Sequence, residues 1–525
     1  MRLKDPRNIT VPCADGVDHD RRLIMTGLAA LCAGGPLISL NSPALAQGQD
    51  SAVIGWPSDV PSWDPNQRFS PDSQPLFKLV FDQPLDQDPA LHLIPKLITK
   101  WDMAPDGLSL SVELRDDVSF HNGDRMTADD FRYTFFERIK AGHAVDTKSS
   151  FGKVSDIEVQ SPTKAVMKFS SPAPTAPTWL GFLGSYIVPK KYMESVGVEK
   201  FREKPVGTGP YQLVEYQLNS RIVLERNEKY WGPKPAVRRV IFEILKDPSA
   251  RVAAIQSGQI DLTINVPVRD IARLQREQSL AAEINPITRV VLLQVRNDEG
   301  FSDRNVRLAA HHAIDKAALS KAFYAGSAVP LSIPVSPGSA GYLDSYKFAY
   351  DPELSKKLLA QSGFSTAKPA RIKFASTNGH FPSDYDMARA IQQMWKKVGI
   401  EAELETIEYA KYFELNRAGK LPEATLYSWD NASGDPEIYC GYLLNPKLPM
   451  SAWKDPAIGG EITRLMAATD NKARIEGWKA LAKDAVEQGA TIPLLQSVQT
   501  LVRKKKLAYL KYGNGWVLAN SMRWS

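Results

Sequence analysis

Two hydrophobic periods are interleaved along most of this chain. Alternation with a period of two marks 108–114, 165–169, 211–216, 221–225 and 290–295, the pattern of half-buried strands. Spacing of i, i+3, i+4 marks 128–139, 250–256, 304–324, 352–361, 385–398 and 461–488, which predicts helices. Such mixing predicts an α/β fold. A chain of 525 residues, 43% of them hydrophobic, can build two or more cores. Those cores must hold without disulfides. Cys440 is the single cysteine after residue 46, and its apolar setting, Ile438-Tyr439-Cys440-Gly441-Tyr442-Leu443, predicts a small buried hydrophobe.

The first 46 residues have a different character. A polar stretch leads to Arg21-Arg22, then to a moderately apolar segment over 23–40, then to Ala44-Leu45-Ala46. This is the pattern of a cleavable export signal with Gln47 as the first mature residue, and the paired arginines resemble a twin-arginine signal. No later apolar run approaches the roughly 20 residues needed to span a bilayer. The remainder is expected free in the periplasm.

Charge excludes little but is informative. A formal net charge of +6 over 525 residues is slight, and no stretch has the basic density of a nucleic-acid footprint. The one basic run, Arg503 to Lys506, reads as a solvated strand edge or turn. Catalytic signatures are missing: the chain has no HExxH, GxSxG or Walker A sequence. Gly207-Thr208-Gly209 starts like a dinucleotide fingerprint, but Gln212 stands at the third glycine and Pro210 obstructs a helix start, so a tight turn before the 211–216 strand is the expectation. His311 and His312 are adjacent on a predicted helix and point about 100° apart, a poor chelating pair. No metal or cofactor is expected. Asp430 and Glu437 would be the pair for a glycoside or peptide hydrolase, although two acids in a polar segment are a weak signal.

Five ordered blocks carry a resemblance. They are "IPKLITKWDMAPDGLSLSVELRDDVSFHNGDRMTADDF" from Ile94, "PVGTGPY" from Pro205, its continuation "LVEYQLNSRIVLERNEKYWGPKPAVRRV", "DPSARVAAIQSGQIDL", and "FSDRNVRLAAHHAID". Together they resemble the extracytoplasmic solute-binding proteins of ABC importers, the peptide, nickel and opine family, from about Val53 to the C-terminus. The resemblance implies two lobes around a hinge: lobe I over 47–286 with a return over 492–525, and lobe II over 287–491. It implies a monomer that closes on a small-molecule ligand and delivers it to an inner-membrane permease, with no chemistry performed. Within the blocks, Asp303 after Ser302 reads as a helix start, and Thr127 with Asp130 as an approximate capping box, so these segments are scaffold.

Specificity is expected in Ser428 to Leu444, "SWDNASGDPEIYCGYLL". In peptide-binding relatives the corresponding loop carries a tryptophan that packs on the ligand and, three residues on, an aspartate that pairs with its α-ammonium. Trp429 matches the first, and Ala432 stands at the second, which counts against an ordinary peptide. Asp430 is the freer neighbouring acid, whereas Asp435-Pro436 reads as a helix cap. Some dipeptide-binding relatives place an arginine before the "MARAIQQMWKKVGI" helix; here His380 is the nearest basic residue, only partly charged near neutral pH. Tyr409 and Tyr412 could border the cleft. The expected ligand is small and polar with an apolar or ring-bearing part: an opine, an amino-acid conjugate or an unusually held peptide. The alternative is an oligosaccharide stacked on Trp429. Trp429→Ala is expected to weaken binding about tenfold and to leave stability nearly unchanged.

Overall fold

The computed structural model describes residues 50–67, 73–431 and 433–525. The expected export signal and Ala432 lie outside the described residues.

The period-two segments pair into two main sheets. The larger has ten strands in the spatial order Ile400–Thr406, Ala370–Ser376, Ala424–Trp429, Leu280–Val295, Thr491–Lys504, Leu262–Ile264, Ser51–Trp56, Arg239–Ile244, Arg221–Arg226 and Tyr211–Gln217. Its two central strands are 16 and 14 residues long and run antiparallel. Sequence patterning finds only the last turn of the first one, 290–295, because its earlier residues mix polar and apolar types.

The register between these two strands breaks where Pro286 faces Val498 and Val290 faces Gln496, so Ile287, Thr288 and Arg289 lie opposite Ser497 alone. Extra residues of this kind bend a strand and re-aim its side chains. The break divides the sheet. On one side Leu262–Ile264 joins the long pair and leads to Ser51–Trp56; on the other Ala424–Trp429 joins it, with Trp429 opposite Val290.

Each half has its own core. Trp56, Phe77, Tyr186, Tyr211 and Phe242 centre the first; Phe301, Phe374, Met387, Trp395 and Leu494 centre the second. A four-stranded antiparallel sheet (Ile98–Met103, Ser109–Leu114, Lys164–Phe169, Val154–Ser161) covers a further core of Leu110, Phe131, Phe135 and Met167.

Helix starts follow local chemistry. Asp247, Asp351 and Asp455 each precede a proline and accept a backbone N–H three, three and two residues on, at 2.8, 2.8 and 2.9 Å, satisfying a donor that the helix itself cannot. Two long predicted helices are instead broken. The 304–324 segment is Arg304–His312 and Lys316–Tyr324, with Asp315 capping the second through Ala318 N–H at 2.9 Å. The segment over 461–488 is divided between Pro456–Ala467 and Asn471–Glu487, with Asp470 capping Lys472 and Ala473. Apolar periodicity continues across each break and conceals the cap. In the 128–139 helix, Tyr133–Glu137 forms a π-helical turn.

The tight-turn expectation at Gly207-Thr208-Gly209 has a steric cause. A Cβ on Gly207 would stand 2.0 Å from the Val80 carbonyl oxygen, and one on Gly209 would stand 2.5 Å from the Val80 carbonyl carbon. Cys440 is buried, and burial pushes its thiol pKa up, as expected of a structural hydrophobe. His311 is fully buried; its Nε2 lies 2.9 Å from Lys316 Nζ, and His312 stacks on Phe348 at 4.4 Å.

Candidate functional site

The strand break puts an arginine where the sheet halves meet. Arg289 stands immediately before the β-rich segment Val290 to Val295, inside the register break, and lines the wall of a cavity. The same cavity is lined by Asp430 and His380 from the second half, and by Trp56, Asn514 and Trp516 from the first. Its cavity volume is about 50 Å³, and it opens to solvent.

Arg289 Nη2 lies 3.9 Å from Asp430 Oδ2, with side chains 14% and 10% exposed. At such burial the charges interact more strongly than in bulk water. Asn514 Nδ2, Trp56 Nε1 and His380 Nε2 are buried without hydrogen-bond partners, so the wall is rich in polar groups that a ligand can satisfy. Trp516 rests on a buried cation: Lys78 Nζ is 4.7 Å from its ring centre and is held by Asp86 at 2.6 Å. Gly515 beside it has φ +81°, and a Cβ there would meet Ile287 at 3.0 Å. Only glycine accepts that conformation readily.

His380 reaches the wall on a clamped loop. Asp384 accepts from Thr377 Oγ1 at 2.8 Å, Gly379 N–H at 2.9 Å and His380 N–H at 3.0 Å. The imidazole is sandwiched between Tyr409 at 4.1 Å and Tyr427 at 5.3 Å, and Tyr412 continues the stack on Tyr427 at 4.2 Å. Burial, helped by the Arg289 charge, holds its pKa well below the usual histidine value. His380 is therefore neutral, and the cation at this wall is Arg289, not His380. Tyr409 and Tyr412 serve the ring stack.

Trp429 ends its strand one residue before Asp430 but lines neither this cavity nor the one described next. It is half-buried against three apolar clusters, with Tyr427 at 6.4 Å and Tyr439 at 6.5 Å, and its Nε1 is buried without a hydrogen-bond partner. This packing leads to the expectation that its removal costs stability, where the sequence alone led to nearly none. Ala432, the position that decides the peptide comparison, lies outside the described residues.

A second cavity opens between Ser149–Val154, Thr175 and Trp179 on one side and Glu437, Tyr442 and Met466 on the other. Asp435 is occupied as its sequence predicts: it accepts Glu437 N–H at 2.9 Å and two bonds from Arg474 at 3.0 and 2.5 Å. Glu437 accepts from Thr175 Oγ1 at 3.2 Å, and burial beside Asp435 pushes its pKa up to about 7. Asp430 and Glu437, the pair considered for hydrolysis, thus line different cavities. Phe182, Ile438, Trp516 and Leu518 form an apolar wall, with Trp179 and Trp429 packed on it.

Residues 92–447 match the middle region of the bacterial extracellular solute-binding proteins, family 5. The chain belongs to this family. The Escherichia coli (strain K12) dipeptide-binding protein is 27% identical over 449 residues, covering 80% of this chain and 84% of that protein. The nickel-binding periplasmic protein of the same organism is 24% identical over 503 residues, covering 89% and 93%. Among solved structures, the Helicobacter pylori periplasmic binding protein DppA in complex with peptide STSA superposes with a TM-score of 0.81 at 22% identity, covering 90% of this chain and 98% of that one. At that identity the likeness shows the fold alone. As a family 5 member the chain is an extracytoplasmic solute-binding component of an ABC importer, with the two-lobed α/β fold expected.

Sequence reasoning missed Arg289, Asn514, Trp516 and Trp56. Arg289 had a signal, a lone cation before the apolar run Val290 to Val295. The other three are indistinguishable in sequence from ordinary core and turn residues.

Proposed function

We propose that this chain is a periplasmic, monomeric capture protein that closes on a small carboxylate-bearing solute of peptide, opine or amino-acid-conjugate type and hands it to an inner-membrane permease. The observation carrying this reading is Arg289, side by side with Asp430 in a cavity walled opposite by Trp56, Asn514 and Trp516. A guanidinium matches a carboxylate with two parallel hydrogen bonds. Asp430 offers a complementary site for an amine, and the two indoles suit the apolar part of such a ligand. Names of relatives that bind dipeptides, and the peptide held by a structural neighbour, favour a peptide-like guest.

Export behind residues 1–46 is part of the proposal. So are lobe I over 47–286 with 492–525 and lobe II over 287–491. The register break at Pro286 to Val290 supports a hinge at the first crossing, and its partner residue Ser497 favours moving the second crossing a few residues beyond 492. Closure is then a rotation about two bulged strands, driven by contacts made only when both walls meet the ligand.

Native mass spectrometry of protein from its own periplasm, followed by calorimetry with the identified solute, tests the reading. A carboxylate-bearing mass whose affinity collapses in Arg289→Gln is the expected result. A neutral ligand, or unchanged affinity in that variant, overturns it.

A further inference from the structure

The cavity at Glu437 has the features of a receptor and no part in the reading above. Its walls come from two distant chain segments, 149–179 and 437–466, so it exists only while these are together. Its cavity volume is about 160 Å³, and it opens to solvent. The lining includes aromatic and thioether groups: Trp179 and Tyr442 lie 5.5 Å apart, with Phe151, Phe169 and Met466 also on the surface.

Into this apolar setting comes one carboxylate, 4% exposed. Glu437 Oε1 takes the Thr175 hydroxyl, whereas Oε2 is buried without a hydrogen bond. The charges around it leave Glu437 under-compensated. Arg474 is the nearest cation, but its two short bonds go to Asp435, and it stands 3.8 Å from Glu437 Oε2. Lys153 also lines the cavity, with its Nζ on the Pro172 carbonyl at 3.0 Å. A buried carboxylate oxygen lacking a donor is costly, and a charged donor that reaches it recovers that cost.

We propose that this second cavity is a binding site for a cationic amine carried on an apolar or aromatic frame, with Glu437 receiving the ammonium and the Trp179 and Tyr442 rings flanking it. The ring faces favour a cation as well as the frame. The site is separate from the Arg289 cavity, since the two share no lining residue. The proposal rests on the reading that the two sides of the molecule close over a solute, since the cavity needs both. An amine seated there would hold them together. It would bind better as pH rises from about 5.5 to 8, because the Glu437 carboxyl, raised to about 7, must lose its proton to receive an ammonium that stays charged throughout.

The test uses 2-phenylethylammonium and its neutral analogue 2-phenylethanol, titrated into the purified protein by calorimetry or ligand-observed NMR. The expected result is that the amine binds at least about tenfold more tightly than the alcohol, as one charge-assisted bond implies. Glu437→Gln should abolish that preference. Arg289→Gln should keep it, so failure of this site is distinguishable from failure of the carboxylate reading. Equal binding of the two probes, no binding of either, an unaltered preference in Glu437→Gln, or a preference that disappears only in Arg289→Gln overturns the proposal. In the wild-type protein, which needs no variant to fold, an amine affinity that does not rise between pH 5.5 and 8 does the same.

Discussion

Two arginines stand beside acids at the two cavities, and they are used differently. Arg474 is 5% exposed and closes on Asp435 with two hydrogen bonds, 3.0 and 2.5 Å long. Arg289 faces Asp430 at 3.9 Å, beyond hydrogen-bond length, on the wall of the other cavity. The first pair is a brace that ties the Asn471–Glu487 helix to the turn before Glu437–Leu443. The second stands where a regular ladder has been interrupted. The first pair is closed by short bonds and braces the fold; the second is held at longer range on a cavity wall, where the proposed function uses it for recognition.

Stability separates the two most sharply. Arg474→Ala leaves Asp435 and Glu437 buried against each other, and a loss of about 3–5 kcal/mol is expected in denaturant unfolding. A loss below about 1 kcal/mol would mean that the brace is dispensable, and the contrast between the arginines would fail. Trp429→Ala is expected to cost about 2–4 kcal/mol, since a half-buried indole joining three clusters is removed. Near-unchanged stability would restore the view of Trp429 as a cleft residue alone. Arg289→Gln should lower solute affinity ten- to a hundredfold, about 1.5–3 kcal/mol, with little change in unfolding. If its main effect is on unfolding, Arg289 belongs with Arg474.

The smallest expected effect is a change of slope with pH. Glu437, with its folded pKa raised from 4.5 to about 7, holds a proton that the unfolded chain has released. Its contribution to stability is therefore present at low pH and falls as pH rises from about 4.5 to about 7. His380 works in the opposite sense. Its folded pKa lies well below 6.5, so the unfolded chain alone gains its proton at lower pH, and its contribution grows as pH climbs toward 6.5. Glu437→Gln removes the first slope and leaves the second, so stability measured by urea titration should rise more steeply between pH 5 and 7 in the variant, by about 1–2 kcal/mol over that window. Identical slopes in the two proteins would show that the Glu437 environment relaxes on ionisation.

Much of the scaffold was legible. The strand at 109–114 and the helices at 352–361 and 384–398 follow from periods of two and 3.6, and Asp435 was legible as occupied because an Asp-Pro pair states its own local geometry. The helix breaks at Asp315 and Asp470 were not, because a capping carboxylate leaves the apolar spacing undisturbed. At the site, Asp430 was found as an acid beside Trp429, while His380 was assigned a charge that its burial between two tyrosines removes.

The sequence by itself determined that this chain is an α/β protein of the family 5 solute-binding type, because periodicity, caps and family blocks are written in runs of neighbouring residues. Tertiary structure alone decided which groups face one another. Trp56, Arg289, Asp430 and Trp516 line one cavity although they are scattered from one end of the chain to the other, and Arg289 does so from a three-residue irregularity in one strand. Burial then sets which side chains keep their charge. Both depend on distances through space, and short-range pattern carries no record of those.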